Sequence, residues 1–252
     1  MFAAFAVAAV LAIVPAAVAT TCTAEVGTFT WGFKESFRAY ISGSIANGEW
    51  TTAGGIDYAT PNFSSDELAG AMRLDPIEGQ LAVDGSLRFT GHEGILDTMI
   101  ANPRFVIESP DRFVVVVDIT GTTQDFVAVD SLDVQFLEGD LGAAAWRVEG
   151  DTLVIESIPL TLTAAGADAF GTYPAGEAFD PLTLELATTA DCAVAAIAGR
   201  ESADQLPLLL AAGVAILGAA LGGGLAVLVR RRRRVATVPS DHEGANGGSI
   251  PS

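Results

Sequence analysis

Histidine is nearly missing from this chain: there are 2 in 252 residues, and only His92 lies ahead of the C-terminal tail. A zinc site of the HExxH kind needs two histidines one helical turn apart, so that chemistry is excluded. G-x-S-x-G, a glycine-rich phosphate loop and CxxC are absent as well, which removes the usual hydrolase, nucleotide and redox signatures. Carboxylates are many but scattered over turns and strand faces, where solvation accounts for them, and no pair stands out as acid and base. Basic residues are few: 13 Lys and Arg face 31 Asp and Glu, a net charge of −18. Such a surface repels nucleic acid and other polyanions. None of these patterns points to an enzyme.

Charge is also missing from two stretches near the ends. Residues 1–19, MFAAFAVAAVLAIVPAAVA, form an uncharged apolar run closing on Ala17-Val18-Ala19, which predicts a signal peptide and a mature chain from Thr20, although no basic segment precedes it. Thr21 and Ala19 are poor neighbours for lipidation of Cys22. Leu206 to Val229 gives 24 residues without a charge, enough at about 1.5 Å per residue to cross a hydrocarbon core of about 30 Å. Arg230 to Arg234 follow at once and mark the cytoplasmic side. The expectation is a single-pass type I protein of the cell membrane. An extracellular domain (20–204) is followed by a transmembrane helix (206–229) held in lipid and a basic, disordered cytoplasmic tail (230–252). Leu206-Pro207-Leu208-Leu209-Leu210 lacks a cell-wall sorting pattern, so the span stays as the anchor. Gly218 and Gly222 form a GxxxG pair that glycine's frequency in membrane helices explains. Only Cys22 and Cys192 are present. At the edges of a domain in an oxidising compartment they predict one disulfide joining the first and last strands.

Within the domain, WGFKESFRAYISG (Trp31 to Gly43) reads as an amphipathic helix. At about 100° per residue, Phe33, Phe37, Tyr40 and Ile41 share one side and Lys34, Glu35 and Arg38 fall elsewhere, so Tyr40 is expected to face inward. The period then changes to two. Leu87-Phe89, Phe113-Val115-Val117-Ile119, Leu132-Val134-Phe136, Leu153-Ile155, Leu160-Leu162 and Leu182-Leu184-Leu186 read as strands. Asp84-Gly85, Gly139-Asp140 and Glu149-Gly150-Asp151 read as turns, the last closing a hairpin. The short spacing predicts a mainly β fold, an antiparallel two-sheet β-sandwich with one or two short helices. The second helix falls in AAGADAFGTYPAG (Ala164 to Gly176), leaving Phe170 and Tyr173 near its end.

Three side chains lie outside regular strands and carry polar atoms suited to a ligand: Tyr40, His92 and Tyr173. Ser36 stands one turn before Tyr40, so both hydroxyls can address one molecule. Taken singly, each reads as ordinary packing. GTFTWGFKESFRAYISGSIANGEW, LRFTGHEGILDTMIANPRFVI and LTAAGADAFGTYPAGEAFDPLTL together resemble the haem-transport-associated (HtaA) domain of Gram-positive actinobacterial haem uptake. The three blocks stand in the family's order over Gly27 to Leu186. One domain with an anchor is most similar to the single-domain, HtaB-like members. The resemblance implies that Tyr40 is the axial ligand of ferric haem, that His92 hydrogen-bonds it, and that Ser36 and Tyr173 contact the haem. It further implies extracellular capture or relay of haem for iron acquisition, between a haem donor and a membrane importer.

The chemistry agrees. Ferric iron is a hard cation that suits an anionic phenolate. A phenol ionises near 10, so coordination and a hydrogen bond must assist it. Trp31, Phe33, Phe37 and Phe170 are open between apolar pocket wall and plain core. Arg38, Ser36 and Tyr173 are candidates for the propionates. The alternative from another class is a cell-surface adhesion or interaction module whose sandwich binds protein and no haem. A third reading, a cell-surface peroxidase-like enzyme, is not supported, because the sequence lacks the second histidine or arginine–histidine arrangement that would cleave peroxide.

Overall fold

The computed structural model describes residues 21–200. The expected signal peptide, membrane span and tail lie outside the described residues, within which no helix is long and apolar enough to cross a membrane. Twelve strands and two short helices follow one another. They are β1 (Thr23–Trp31), α1 (Glu35–Ser42), β2 (Glu49–Gly54), β3 (Asp57–Ala59), β4 (Asn62–Leu74), β5 (Ile77–Ala82) and β6 (Gly85–Gly91). Next come β7 (Leu96–Ser109), β8 (Arg112–Thr122), β9 (Ala128–Asp140), β10 (Ala145–Glu149), β11 (Thr152–Leu162), α2 (Ala164–Phe170) and β12 (Ala178–Ala187). Residues 190–200 are helical and carry Cys192. The mainly β character and both short helices agree with the period of the sequence.

The two-sheet sandwich is corrected. All strands belong to one antiparallel sheet, and the path β7-β5-β4-β1-β12-β11-β9-β8 closes on itself because β8 also pairs β7. A closed, barrel-like ring of eight strands results, with β6 and β2 extending from β7, β3 from β4 and β10 from β11. Alternation tells which side chains point inward, and it is the same for two facing sheets and one curved sheet. Closure depends on bulges, which bend a strand and increase its twist. Asn102 of β7 and Asp133 of β9 both have left-handed φ, 53° and 55°, at shifts of register against β8. Asp118 of β8 ties the two bulges together: its carboxylate accepts from Asn102 Nδ2 at 2.9 Å and from the Asp133 backbone N–H at 3.0 Å. Those bonds, with Arg104 nearby, hold the carboxyl below the usual range.

The bulge in β9 also explains a local departure. Val134 and Phe136 are buried as the alternation requires, but the extra residue before Val134 turns Leu132 outward, leaving it exposed. Gly139-Asp140, expected as a turn, lies inside β9, where Gly139 pairs Phe113 and Leu160; the chain turns just after. The hairpin around Gly150 forms as expected, with Val148 opposite Leu153.

Cys22 and Cys192 are bonded, across 170 residues of sequence. Cys22 precedes β1, while Cys192 sits on the helix after β12 rather than on a strand. On a chain-entropy account, closing so long a loop stabilises the fold by about 5 kcal/mol.

The helix α1 is shorter than the amphipathic pattern suggests, because its first residues do other work. Trp31 ends β1, and Phe33 turns the corner with a left-handed φ of 63°. Gly32 is needed between them, since a Cβ there would stand 2.4 Å from Asp180 Oδ2. Asp180 holds the corner from β12: its backbone N–H donates to Phe33 O, its carbonyl accepts from Trp31 Nε1, and its carboxylate accepts from the Glu35 N–H that opens α1. The Phe33 ring is wholly buried, stacked on Phe89 at 5.0 Å and edge-on to Phe179 at 5.3 Å. Phe37, Phe136 and Phe170 complete this aromatic cluster, which forms the floor beneath α1.

Candidate functional site

The four polar residues singled out from the sequence meet above that floor. Tyr40 lies on the last turn of α1, half-buried rather than fully inward. Its hydroxyl pairs with Nε2 of His92 and donates to Gln124 Oε1 at 3.0 Å. One turn earlier, Ser36 Oγ lies 3.4 Å from the hydroxyl of Tyr173. The buried ring of Phe37 links the two pairs from below, 6.1 Å from the Tyr40 ring and 6.3 Å from that of Tyr173. Helix periodicity places Ser36, Phe37 and Tyr40 together. Tertiary structure then brings His92 and Tyr173 to them from 52 and 137 residues away.

Each partner is held by its backbone. His92 opens a tight 3-10 turn after β6, with left-handed φ at His92 and Glu93. Its N–H donates to Ala46 O at 2.7 Å, tying it to the segment between α1 and β2. Tyr173 follows α2, which Thr163 caps by accepting from Gly166 N–H and Gly171 ends in the left-handed conformation. The Tyr173 ring stacks on Phe170 at 6.3 Å.

Lys34 is the correction to the amphipathic reading of α1. Instead of standing on the charged face it is buried, 7% exposed, as the residue preceding the helix. Its ammonium donates to Glu177 Oε1 at 2.8 Å and Ala178 O at 2.7 Å, and lies 4.8 Å from the centre of the Tyr173 ring. A buried cation needs such partners, and these fix Tyr173 against α1. Arg38 pairs with Asp180 at 3.4 Å.

Trp31, Phe33, Phe37 and Phe170, open between wall and core in the sequence, are buried in the cluster below, at most 3% exposed. The exposed apolar side chains next in sequence to the site's bonding groups are ones that sequence patterns did not single out. Ile45, 75% exposed, adjoins the carbonyl that anchors His92; Phe126 and Val127, 73% and 56% exposed, follow Gln124. Gln124 and Asp125 were also missed, because they sit in a turn without a motif around them, and Asp180 was missed although it lies within the third of the quoted blocks.

Burial is the main cause that pushes the Tyr40 phenol above its ordinary range, and the Asp125 carboxylate and Tyr173 add to it. The phenol is therefore protonated at neutral pH. Among the described residues no three His, Cys, Asp or Glu side chains cluster to hold a bare metal ion. The site brings the hydroxyls of Tyr40, Ser36 and Tyr173 together with His92 and Gln124, and exposed apolar residues adjoin its bonding groups in sequence.

Comparison with known proteins gives a family for this arrangement. The HtaA family model ("Htaa") matches residues 26–185. The crystal structure of the C-terminal domain of HtaA from Corynebacterium glutamicum is similar, with a TM-score of 0.59 and 27% identity over 67% of this chain and 99% of that one. The N-terminal domain of the same protein is 30% identical, with a TM-score of 0.50, over 65% of this chain and 97% of that one. A crystal structure of heme binding protein HtaB from that organism gives 22% identity and a TM-score of 0.49, over 67% of this chain and 96% of that one. No curated protein matches. With well over half of its length matched by the family model, the chain belongs to the HtaA family.

Proposed function

We propose that this protein is a membrane-anchored, extracellular haem-binding protein that captures or relays ferric haem during haem-iron uptake. The observation that carries the reading is the meeting of Tyr40 with His92, beside Ser36 and Tyr173, on one open face of α1. Membership of a haem-binding family supports it.

The residues fit the ligand. Haem supplies a hard ferric ion within a flat apolar ring. Tyr40 offers a hard oxygen, half-exposed, and the apolar rim of Ile45, Phe126 and Val127 suits the ring. His92, donating through Nε2, would steady the Tyr40 oxygen and stabilise its anionic form. Ser36 and Tyr173 stand ready for the propionates, with the Lys34–Glu177 pair behind Tyr173 holding it in place. A single exchangeable protein ligand suits a relay between a donor and a membrane importer. The role is carriage, not catalysis. The uncharged run 206–229 followed by five arginines supports anchoring with the domain outside the cell.

The test is absorption spectroscopy of the protein mixed with haemin. A Soret band with high-spin charge-transfer bands is expected; a spectrum of free haemin would sink the reading and favour an adhesion or interaction module. Protease added to intact cells should remove the domain and spare the tail.

A further inference from the structure

The Tyr40 hydroxyl has one proton and two neighbours. When it donates to Gln124 Oε1, the bond with His92 must be donated by the imidazole; the reverse assignment requires Gln124 to turn its amide and present Nε2. Gln124 therefore acts on the very oxygen on which the haem reading depends. A built turn places it there. Thr123 is buried, its Oγ1 accepts from Asp125 and Val127 N–H groups at 3.3 Å each, and its own N–H donates to Val127 O at 2.9 Å. The end of α2 backs this turn: a Cβ at Gly171 would come within 2.8 Å of Thr123 Cγ2. Phe126 is thereby held outward with a left-handed φ of 61° and 73% of its surface exposed. A bulky side chain rarely adopts that backbone, and an exposed aromatic gains nothing from burial. Its backbone N–H donates to Thr123 O at 3.1 Å, while its ring has no aromatic partner among the described residues.

We propose that the Thr123–Val127 turn is an arm of the ligand site, in which Gln124 orients the Tyr40 oxygen and the Phe126 ring covers a face of the bound porphyrin. This rests on the haem reading above. An oxygen bound to iron has no proton to donate, so its neighbours must donate to it. Glutamine can meet both conditions by turning its amide, whereas glutamate offers only acceptors. Two residues of chain span at most about 7 Å, which keeps Phe126 close to the residue bonded to Tyr40.

The test titrates the full chain with haemin and, in parallel, with protoporphyrin IX, which lacks iron, while the melting temperature is recorded without ligand. Phe126→Ala is expected to weaken both ligands by about 10-fold to 100-fold, and Phe126→Trp to restore them. Gln124→Glu is expected to weaken haemin alone, by about 10-fold, with a shifted Soret band. Both positions border solvent, so melting should match the parent. Parent-like binding of both ligands by either Phe126→Ala or Gln124→Glu overturns the arm while leaving the haem reading intact. A parent protein that fails to bind haemin overturns both together.

Discussion

Tyr40 on α1 and Tyr58 on β3 are both half-buried, and they differ in what their oxygens do. Tyr58 packs its ring 4.8 Å from Phe63 and edge-on to Trp50 at 5.4 Å, and its hydroxyl has no hydrogen-bond partner among the described residues. Tyr40 touches Phe37 less closely, at 6.1 Å, but its hydroxyl engages His92 and Gln124. One region uses tyrosine as a ring. The other organises three chain segments around an oxygen. Strand β3 pairs with β4 at the margin of the barrel, whereas α1 crosses above the aromatic floor where three distant segments converge. Position in the fold, rather than residue type, separates a packing tyrosine from a candidate ligand.

The comparison breaks outright if the fold is lost, so the largest effect serves as its boundary. Val115 is completely buried on β8, and Val115→Asp would place an unpaired charge in the barrel, at a cost of several kcal/mol. We expect loss of the cooperative melt together with loss of haem. Haem loss in any other variant counts only if its melt survives. Next comes Tyr40→Phe, which keeps the ring over Phe37 and deletes the oxygen. The melt should stay near the parent temperature and the Soret band should disappear; a folded variant with the parent spectrum would make Tyr40 a core residue. His92→Ala should act less strongly, because the proposed ligand oxygen is still there. Affinity is expected to fall about 10-fold to 100-fold with a shifted spectrum, and an unchanged titration would remove His92 from the site.

Much of this contrast was legible in the sequence. Helical spacing put Ser36, Phe37 and Tyr40 on neighbouring positions, and the block containing His92 carried the family resemblance. Period-two alternation marked the strands that build the floor. Closure of the sheet was not legible, because the inward faces of a sandwich and a barrel alternate alike and the bulges at Asn102 and Asp133 occupy unremarkable sequence. Gln124 was hidden for a related reason. Its partner is 84 residues away, and a glutamine in a turn has no spacing that announces an acceptor. Lys34 was misplaced because the helix was read as starting four residues early, before the Gly32-Phe33 corner.

The smallest effect sharpens the comparison most. Tyr58→Phe removes the one atom that distinguishes tyrosine from phenylalanine at a position where that atom makes no hydrogen bond, and it retains the ring contacts with Trp50 and Phe63. Without a bonded partner to orphan, the deletion avoids the usual penalty of about 1 kcal/mol or more for breaking such a bond. Stability should change by less than about 0.5 kcal/mol, and the haemin titration and Soret band should match the parent. The pair Tyr40→Phe and Tyr58→Phe then performs the same chemical deletion in two half-buried settings with opposite expected results. Should Tyr58→Phe also abolish the Soret band in a protein that melts normally, haem would be engaging the β3 margin, and the assignment of the site to the face of α1 would be wrong.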